Sequence, residues 1–404
     1  MLSGKNIIFS RWFLVAIYAL LATFISIRGY YAPGKDMPGF EGKVTAYNNY
    51  IVFSNSFYHL LDGKNLYAQY PETHSFICPA QYDVFKYSPT FALFFAPLSL
   101  LPLGVGLTLW NLLNLQVFLF AIKKLKLPPV RELGFGLLSI PEIFTTTTNS
   151  QSNLLIAGLL ILAYIHLEKG KTLLPVFFIA LTVFIKLFGI LFFALVLLYP
   201  QRLKALPAAA AVMLGLFVLP LPFGGWERLI QHYREYFGLI SGDHGFFVKY
   251  SVMGWLKSWF GWQPDKNGIV LGGLLLQFIP LLFWKRFSDR SFRTIYAASW
   301  LIWLVIFNHM AESATFIIAV AGVFLWYFTI AERKTWHTAI LVTVMIFTCL
   351  GPSDIYPKAL RMLIVETWQL KVFPCILIWM ICMYQLLADK VKTSVSSAQT
   401  PAAP

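Results

Sequence analysis

The residues able to do chemistry in this chain are few, and they cluster. Residues 29–87 carry Asp36, Glu41, Asp62, Glu72 and Asp83, and residues 222–268 carry Glu227, His232, Arg234, Glu235, Asp243, His244 and Lys249. Lys186 is the most informative single position, because it stands in FIKLFG between two apolar runs of about a dozen residues each. A lysine within hydrocarbon costs about 2.5–3.5 kcal/mol unless it is solvated or paired. Three partners suit it: an anionic phosphate, which a compact ammonium binds as a point charge, water reached by snorkelling, or a structural ion pair. His309 lies in FNHMAES with Glu312 three residues on, a spacing that shares one face of a helix. That pair suits acid–base work or helix capping. Lys86 in DVFKYSP stands at a water boundary, where phosphate contact and snorkelling both suit it. The cysteines, Cys78, Cys349, Cys375 and Cys382, have no metal-ligand spacing, and three lie in apolar stretches where a thiol acts as a small hydrophobe. No metal site and no cofactor are expected, although the carboxylates leave a divalent cation open.

The elements that must position these groups follow from composition. Of 404 residues, 58% are apolar and only 12% are charged, with a mean hydropathy of +0.67. Soluble domains carry about a quarter charged residues, so a water-soluble enzyme is excluded. A dozen spanning helices of about 20 residues would use roughly 240 positions, which matches the apolar share. The net charge of +14 then reads as Lys and Arg in cytoplasmic loops. Nucleic acid is not an expected partner, because no basic stripe alternates with aromatic residues.

Loop charge assigns a direction to each apolar run. Residues 8–28 form a retained first span with the N-terminus inside, since no small-residue cleavage site precedes the polar stretch. The stretch SPTFALFFAPLSLLP is too short to cross and is bracketed by Pro89 and Pro102, so it dips into the outer leaflet and returns. Residues 105–122 then cross inward to KKLKLPPVR, and residues 134–144 return to the outer loop TTTTNSQSN. Residues 173–184 and 187–198 form a short helical pair that turns at Lys186, with both ends inside. The walk predicts an all-α polytopic membrane protein with about 12 transmembrane helices and both termini cytoplasmic. Residues 1–390 form one domain, with long outer segments at 29–102 and 222–268 carrying interfacial helices, and residues 391–404 form a disordered tail. In the first outer segment, Tyr50, Phe53, Phe57, Leu60 and Leu61 recur at helical spacing, predicting an amphipathic helix lying on the membrane surface.

Three stretches then carry a family resemblance: FKYSPTFALFFAPLSLLPLGVGLTLWNLLN, NSQSNLLIAGLLILAYIHLEKGK and FIALTVFIKLFGILFFALVLLYPQR. Their Phe85, Tyr87, Pro89, Leu101, Pro102, Trp110, Asn114, Gln151, Asn153 and Lys186 stand in the order of the motifs of glycosyltransferase family 87, which the chain resembles over about residues 45–325. The resemblance implies an integral-membrane enzyme taking a hexose, typically mannose, from a polyprenyl-phosphate carrier on the outer face of the plasma membrane. A glycolipid or glycan would be the acceptor, and the dipping helix and short pair would form a groove for the carrier lipid. Taken together, the residues and the resemblance lead to the expectation that Lys186, Lys86, Lys249 and Tyr87 bind the donor or its phosphate, and that Asn49, Gln151, Asn153, His309 and Glu312 bind substrate.

At one position the chain departs from the family. An inverting transfer needs a carboxylate to take the acceptor proton, and the family's Asp, about 14 residues before a Gly-x-x-Leu-Tyr element, falls here on Asn49. An amide cannot accept that proton usefully. A neighbouring carboxylate, Asp36, Asp83 or Glu41, is expected to have taken the role; a shifted register, an inactive chain or a different chemistry are the alternatives. A transporter of lipid-linked saccharide and a non-catalytic scaffold are competing readings. The transporter should show related halves, and residues 1–200 and 201–404 show no convincing repeat.

Overall fold

The computed structural model describes residues 4–36, 43–68, 70, 83–242, 248, 250–263 and 265–388. Among them the regular structure is helical apart from a short ribbon, Lys35–Asp36 against Lys43–Val44. The all-α class read from the sequence is therefore the class observed. The first long helix, α1 (Gly4–Tyr31), is followed by α2 (Asn48–Leu61), the short α3 (Pro89–Phe94) and α4 (Ala96–Ser99), and the long α5 (Leu103–Lys124). Helices α6 (Pro129–Leu138), α7 (Ile140–Thr148), α8 (Asn153–Glu168) and α9 (Leu173–Ile185) lead into a 3₁₀ helix at Leu187–Leu198. After α10 (Arg202–Val218) come α11 (Gly225–Gly242), α12 (Val252–Phe260), α13 (Lys266–Phe278), α14 (Arg290–Ile306) and α15 (Phe316–Thr329). The chain closes with α16 (Thr335–Thr343), α17 (Lys358–Arg361) and α18 (Phe373–Ala388).

Two helical segments, Trp12–Tyr31 and Leu103–Lys124, are long and apolar enough to cross a bilayer. Several others, among them Asn153–Glu168 and Phe373–Ala388, are apolar but run 10–17 residues. At 1.5 Å per residue a 16-residue helix is about 24 Å long. Helices pack closely where the sequence supplies small residues. A methyl group placed on Gly158 of α8 would lie 3.0 Å from the backbone nitrogen of Phe118, so α8 rests directly on the backbone of α5.

Local signals account for the breaks around the site. Ser88 caps α3 by accepting from the Phe91 amide at 3.2 Å, and Pro89 occupies the first helical position, where its missing N–H is not needed. Pro102 then stands at the N-cap of α5. The expected short, broken helix is thus present as α3 and α4, six and four residues long. The expected pair is present too: α9 ends at Lys186, whose extended backbone (φ −139°, ψ 119°) turns the chain into the 3₁₀ helix. That helix runs 12 residues, where most 3₁₀ stretches stop at three or four.

Two expectations are corrected. The amphipathic helix forms as α2, but it does not lie with one face against lipid. Its residues from Tyr50 to Phe57 are all buried, together with His59 and Leu60, and only Leu61 of the apolar set is exposed. Tyr50 donates to the Leu98 carbonyl at 3.0 Å, and Phe53 meets Tyr87, Phe91, Phe95 and Trp110 edge-on. The broken helix α3–α4 covers the face that would have faced the membrane. Nor do His309 and Glu312 share a helical face, because α14 ends at Ile306 and both residues lie in the irregular connection that precedes the turn Ser313–Thr315.

The connections sort into two ends. At one, Arg131 donates to the carbonyls of Phe328 and Ile330, and Glu168 accepts from Arg293 and Tyr199. At the other, Asn49 donates to the Asn149 carbonyl at 2.8 Å and Trp110 to the Ser150 carbonyl at 2.8 Å.

Candidate active site

The polar network at the second end is built on the loop between α7 and α8. Ser150, with φ of 50°, reverses the chain, and Asn114 of α5 accepts from the Leu155 amide at 3.2 Å, holding the start of α8. Asn153 then reaches two ways: its amide nitrogen donates to Gln151 Oε1 at 2.5 Å and to the Ala314 carbonyl at 2.9 Å. Its oxygen accepts from Lys186 Nζ at 2.9 Å. Gln151 passes the chain on, donating from Nε2 to Glu312 Oε2 at 2.6 Å. Lys186, Asn153, Gln151 and Glu312 therefore form one continuous line of hydrogen bonds from three separate parts of the sequence.

Tyr87 closes the line from the side. Its ring stands 5.9 Å from Lys186 Nζ, within cation–π reach. Burial pushes its phenol well above the ordinary range. Tyr87 therefore remains a neutral donor. The Gly-x-x-Leu-Tyr element docks here as well, since Tyr67 donates to the Tyr87 carbonyl at 3.1 Å.

Beside the turn at Lys186 opens a cavity of about 390 Å³. Its lining includes Val183, Phe184 and Leu187 from the turn, Met213 and Phe217 of α10, and Tyr236 of α11. Ser88 stands in its wall and donates to the Phe184 carbonyl at 2.5 Å. Leu187, next to Lys186 in the chain, and Ser88, next to Tyr87, are lining residues, so the turn that carries the ammonium borders an apolar chamber. That arrangement suits an amphiphile with an anionic group at one end.

The expected site residues divide clearly. Tyr87, Gln151, Asn153, Lys186 and Glu312 come together, and Asn49 joins the same loop through the Asn149 carbonyl. Asp36 lies exposed on the ribbon opposite Lys43. Asp83 is exposed and accepts from the amide of Val84 at 2.8 Å. Among the described residues neither is hydrogen-bonded to the network. Lys86 is exposed, and His309 is half-buried in the connection it shares with Glu312. Glu41 and Lys249 lie outside the described residues. No group of three His, Cys, Asp or Glu suited to a metal ion occurs among the described residues.

Sequence reasoning missed the support beneath this network. Lys371 donates to Glu142 Oε1 at 2.6 Å and to the Thr348 carbonyl at 2.9 Å, with both charged side chains fully buried. One turn along α7, Thr146 donates to the same Ala314 carbonyl that Asn153 uses. A lone acid in residues 134–144 and a lone base before VFPCILIW were the available signals. Their 229-residue separation concealed the pairing.

The polar groups of this helical chain thus converge on one set of connections. The model of glycosyltransferase family 87 matches residues 85–352, so the chain belongs to that family, and its activity class is membrane glycosyl transfer. The match begins at Phe85 and contains every member of the hydrogen-bonded line. No curated protein matches the chain.

Proposed function

We propose that this chain moves a hexose, mannose being the first candidate, from a polyprenyl-phosphate carrier to a lipid or glycan acceptor on the outer face of the plasma membrane. The observation that carries this reading is the pairing of Lys186 with the apolar cavity beside it. An ammonium oriented by an amide oxygen and an aromatic face suits a phosphate monoester or diester, and the chamber suits the first isoprenoid units attached to it. When the anomeric C–O bond breaks, negative charge collects on the phosphate, and Lys186 is where that charge is stabilised. The carrier phosphate is itself the leaving group, so the chemistry asks for no organic cofactor.

The orientation is part of the proposal. About twelve crossings, with the short helices tilted or paired at the bilayer edges, would put the Lys186 end outside and both termini in the cytoplasm. It is supported by the bonds that join basic connections to one another, Arg131 to the Phe328 and Ile330 carbonyls and Arg293 to Glu168. Membrane lipid would then contact the exposed apolar flanks of α1, α5 and α13, where Leu20, Leu109 and Leu275 are exposed.

Purified protein given polyprenyl-phosphoryl hexose and a panel of lipid and glycan acceptors is expected to release polyprenyl phosphate. No release with any donor, together with donor movement between leaflets of reconstituted vesicles, would replace this reading with a transporter. Neither release nor movement, with binding of the carrier retained, would favour the scaffold reading that Asn49 keeps open.

A further inference from the structure

We infer that Glu312 is the general base of the transfer, in the role for which Asn49 has no usable group. The inference rests on the transferase reading above. An acceptor hydroxyl must lose its proton as it attacks the anomeric carbon, on the side away from the departing phosphate. The base is therefore a carboxylate held near the phosphate site but not paired with its cation.

Several of the described carboxylates can be sorted by what already holds them; Asp62, for one, lies 3.5 Å from Lys64. Glu142 is fully buried against Lys371, Glu366 accepts from the Tyr250 hydroxyl at 2.8 Å, and Asp354 pairs with Arg361. Asp265 caps α13 through the Gly268 amide at 2.7 Å. Glu235 accepts from Gln231 at 2.9 Å and lies 3.7 Å from His232. Asp36 and Asp83 are exposed and, among the described residues, make no hydrogen bond to the network.

Glu312 is the one that the network itself reaches. Its Oε2 is fixed by Gln151 at 2.6 Å, and Gln151 is joined through Asn153 to Lys186. Two amide side chains thus separate the carboxylate from the ammonium. They keep base and phosphate site in register while preventing the two charges from closing on each other. Among the described residues Oε1 accepts no hydrogen bond, and the residue is exposed, so an acceptor arriving from solvent can reach it. The backbone behind it is anchored, because the Ala314 carbonyl receives both Asn153 and Thr146.

The step balances. Oε1 takes the acceptor proton, and the acceptor oxygen forms the new bond to the anomeric carbon. The old anomeric C–O bond breaks with its electron pair going to the phosphate oxygen. Glycoside, polyprenyl phosphate and protonated Glu312 result, and the proton then passes to solvent.

The test uses full-length protein with polyprenyl-phosphoryl mannose, a hydroxyl acceptor and, separately, azide. Azide is an anion that attacks without losing a proton, giving glycosyl azide and polyprenyl phosphate. Glu312→Gln is expected to lower transfer to the hydroxyl acceptor by about 10²–10⁴-fold while leaving carrier affinity and azide-dependent release near those of the parent. Glu312→Asp, which keeps the carboxylate and withdraws it by one methylene, is expected to fall between them. Transfer by Glu312→Gln within tenfold of the parent overturns the inference and leaves the transferase reading standing. Loss of the azide reaction together with hydroxyl transfer, or an Asp variant no better than Gln, overturns it too, by making Glu312 a positioning residue. If the parent itself releases no carrier, the transferase reading fails and takes this inference with it.

Discussion

The two ends of the helical body use charge in opposite ways. At the end away from the site, Glu168 is surrounded: Arg293 donates to both its oxygens at 2.6 and 3.0 Å, Tyr199 donates at 2.7 Å, and Arg290 stands 3.3 Å away. The group joins α8, α14 and the end of the 3₁₀ helix, and every acceptor lone pair has a near donor. At the site end, Lys186 meets an amide oxygen and an aromatic ring. Among the described residues no carboxylate lies within ion-pair distance of it. A closed cluster has no capacity left for a ligand and serves to hold helices together. An ammonium oriented by amides keeps its charge for something that arrives later.

The buried pair Glu142–Lys371 belongs with the closed kind although it lies at the site end, and its variants should show the largest effect. Lys371→Met or Glu142→Gln leaves one buried charge uncompensated, and each is expected to cost about 3–5 kcal/mol. The double variant should recover much of that loss, as read by thermal unfolding in detergent. Singles as stable as the parent would show that this pair does not support the Ala314 loop. Next, Glu168→Gln is expected to cost about 3 kcal/mol, since it leaves two guanidinium groups without their carboxylate, with carrier affinity unchanged. A fall in affinity as large as the fall in stability would erase the distinction between the two ends.

Lys186→Met should give the converse result. Its melting temperature is expected to stay near that of the parent, while affinity for polyprenyl phosphate falls by about ten- to hundredfold, the worth of a charged hydrogen bond of roughly 1.5–3 kcal/mol. Equal affinity in a phosphate-binding titration would remove the ligand role assigned to this lysine. The smallest effect concerns His232, buried on α11 beside Arg228 and Glu235. Burial first, and Arg228 second, lower its pKa below 6.5, with Glu235 opposing them. The unfolded chain then takes up a proton below about pH 6.5 before the folded chain does. The stability contributed by the neutral ring is therefore full above that pH and is lost as pH falls through the lowered folded value. Hydrogen exchange in α11 should rise on acidification, and His232→Gln should flatten the dependence.

Much of the site is legible in the sequence. Lys186 stands out because two short apolar runs meet at a charge, and the backbone turns there. Gln151 and Asn153 were singled out by the family motif and do join Lys186. The surface-lying reading of α2 went wrong because periodicity reports which face is apolar without naming what covers it. Here the cover is α3 and α4, drawn in through the Tyr50 and Phe53 contacts. Glu312 was noticed for its spacing to His309, yet its place comes from Gln151, 161 residues earlier.

By itself the sequence determined what depends on neighbours in the chain: apolar runs that must leave water, prolines and caps that stop helices, the turn at Lys186, and the sorting of basic loops. Those effects act over a few residues, and their free energies are local. Only the tertiary structure decided which distant polar groups meet. Glu142 with Lys371, Gln151 with Glu312 and Asn153 with Lys186 each depend on several helices packing at once. Burial then decides whether a charge is closed off by ion-pair partners, as Glu142 is, or held by neutral groups alone, as Lys186 is.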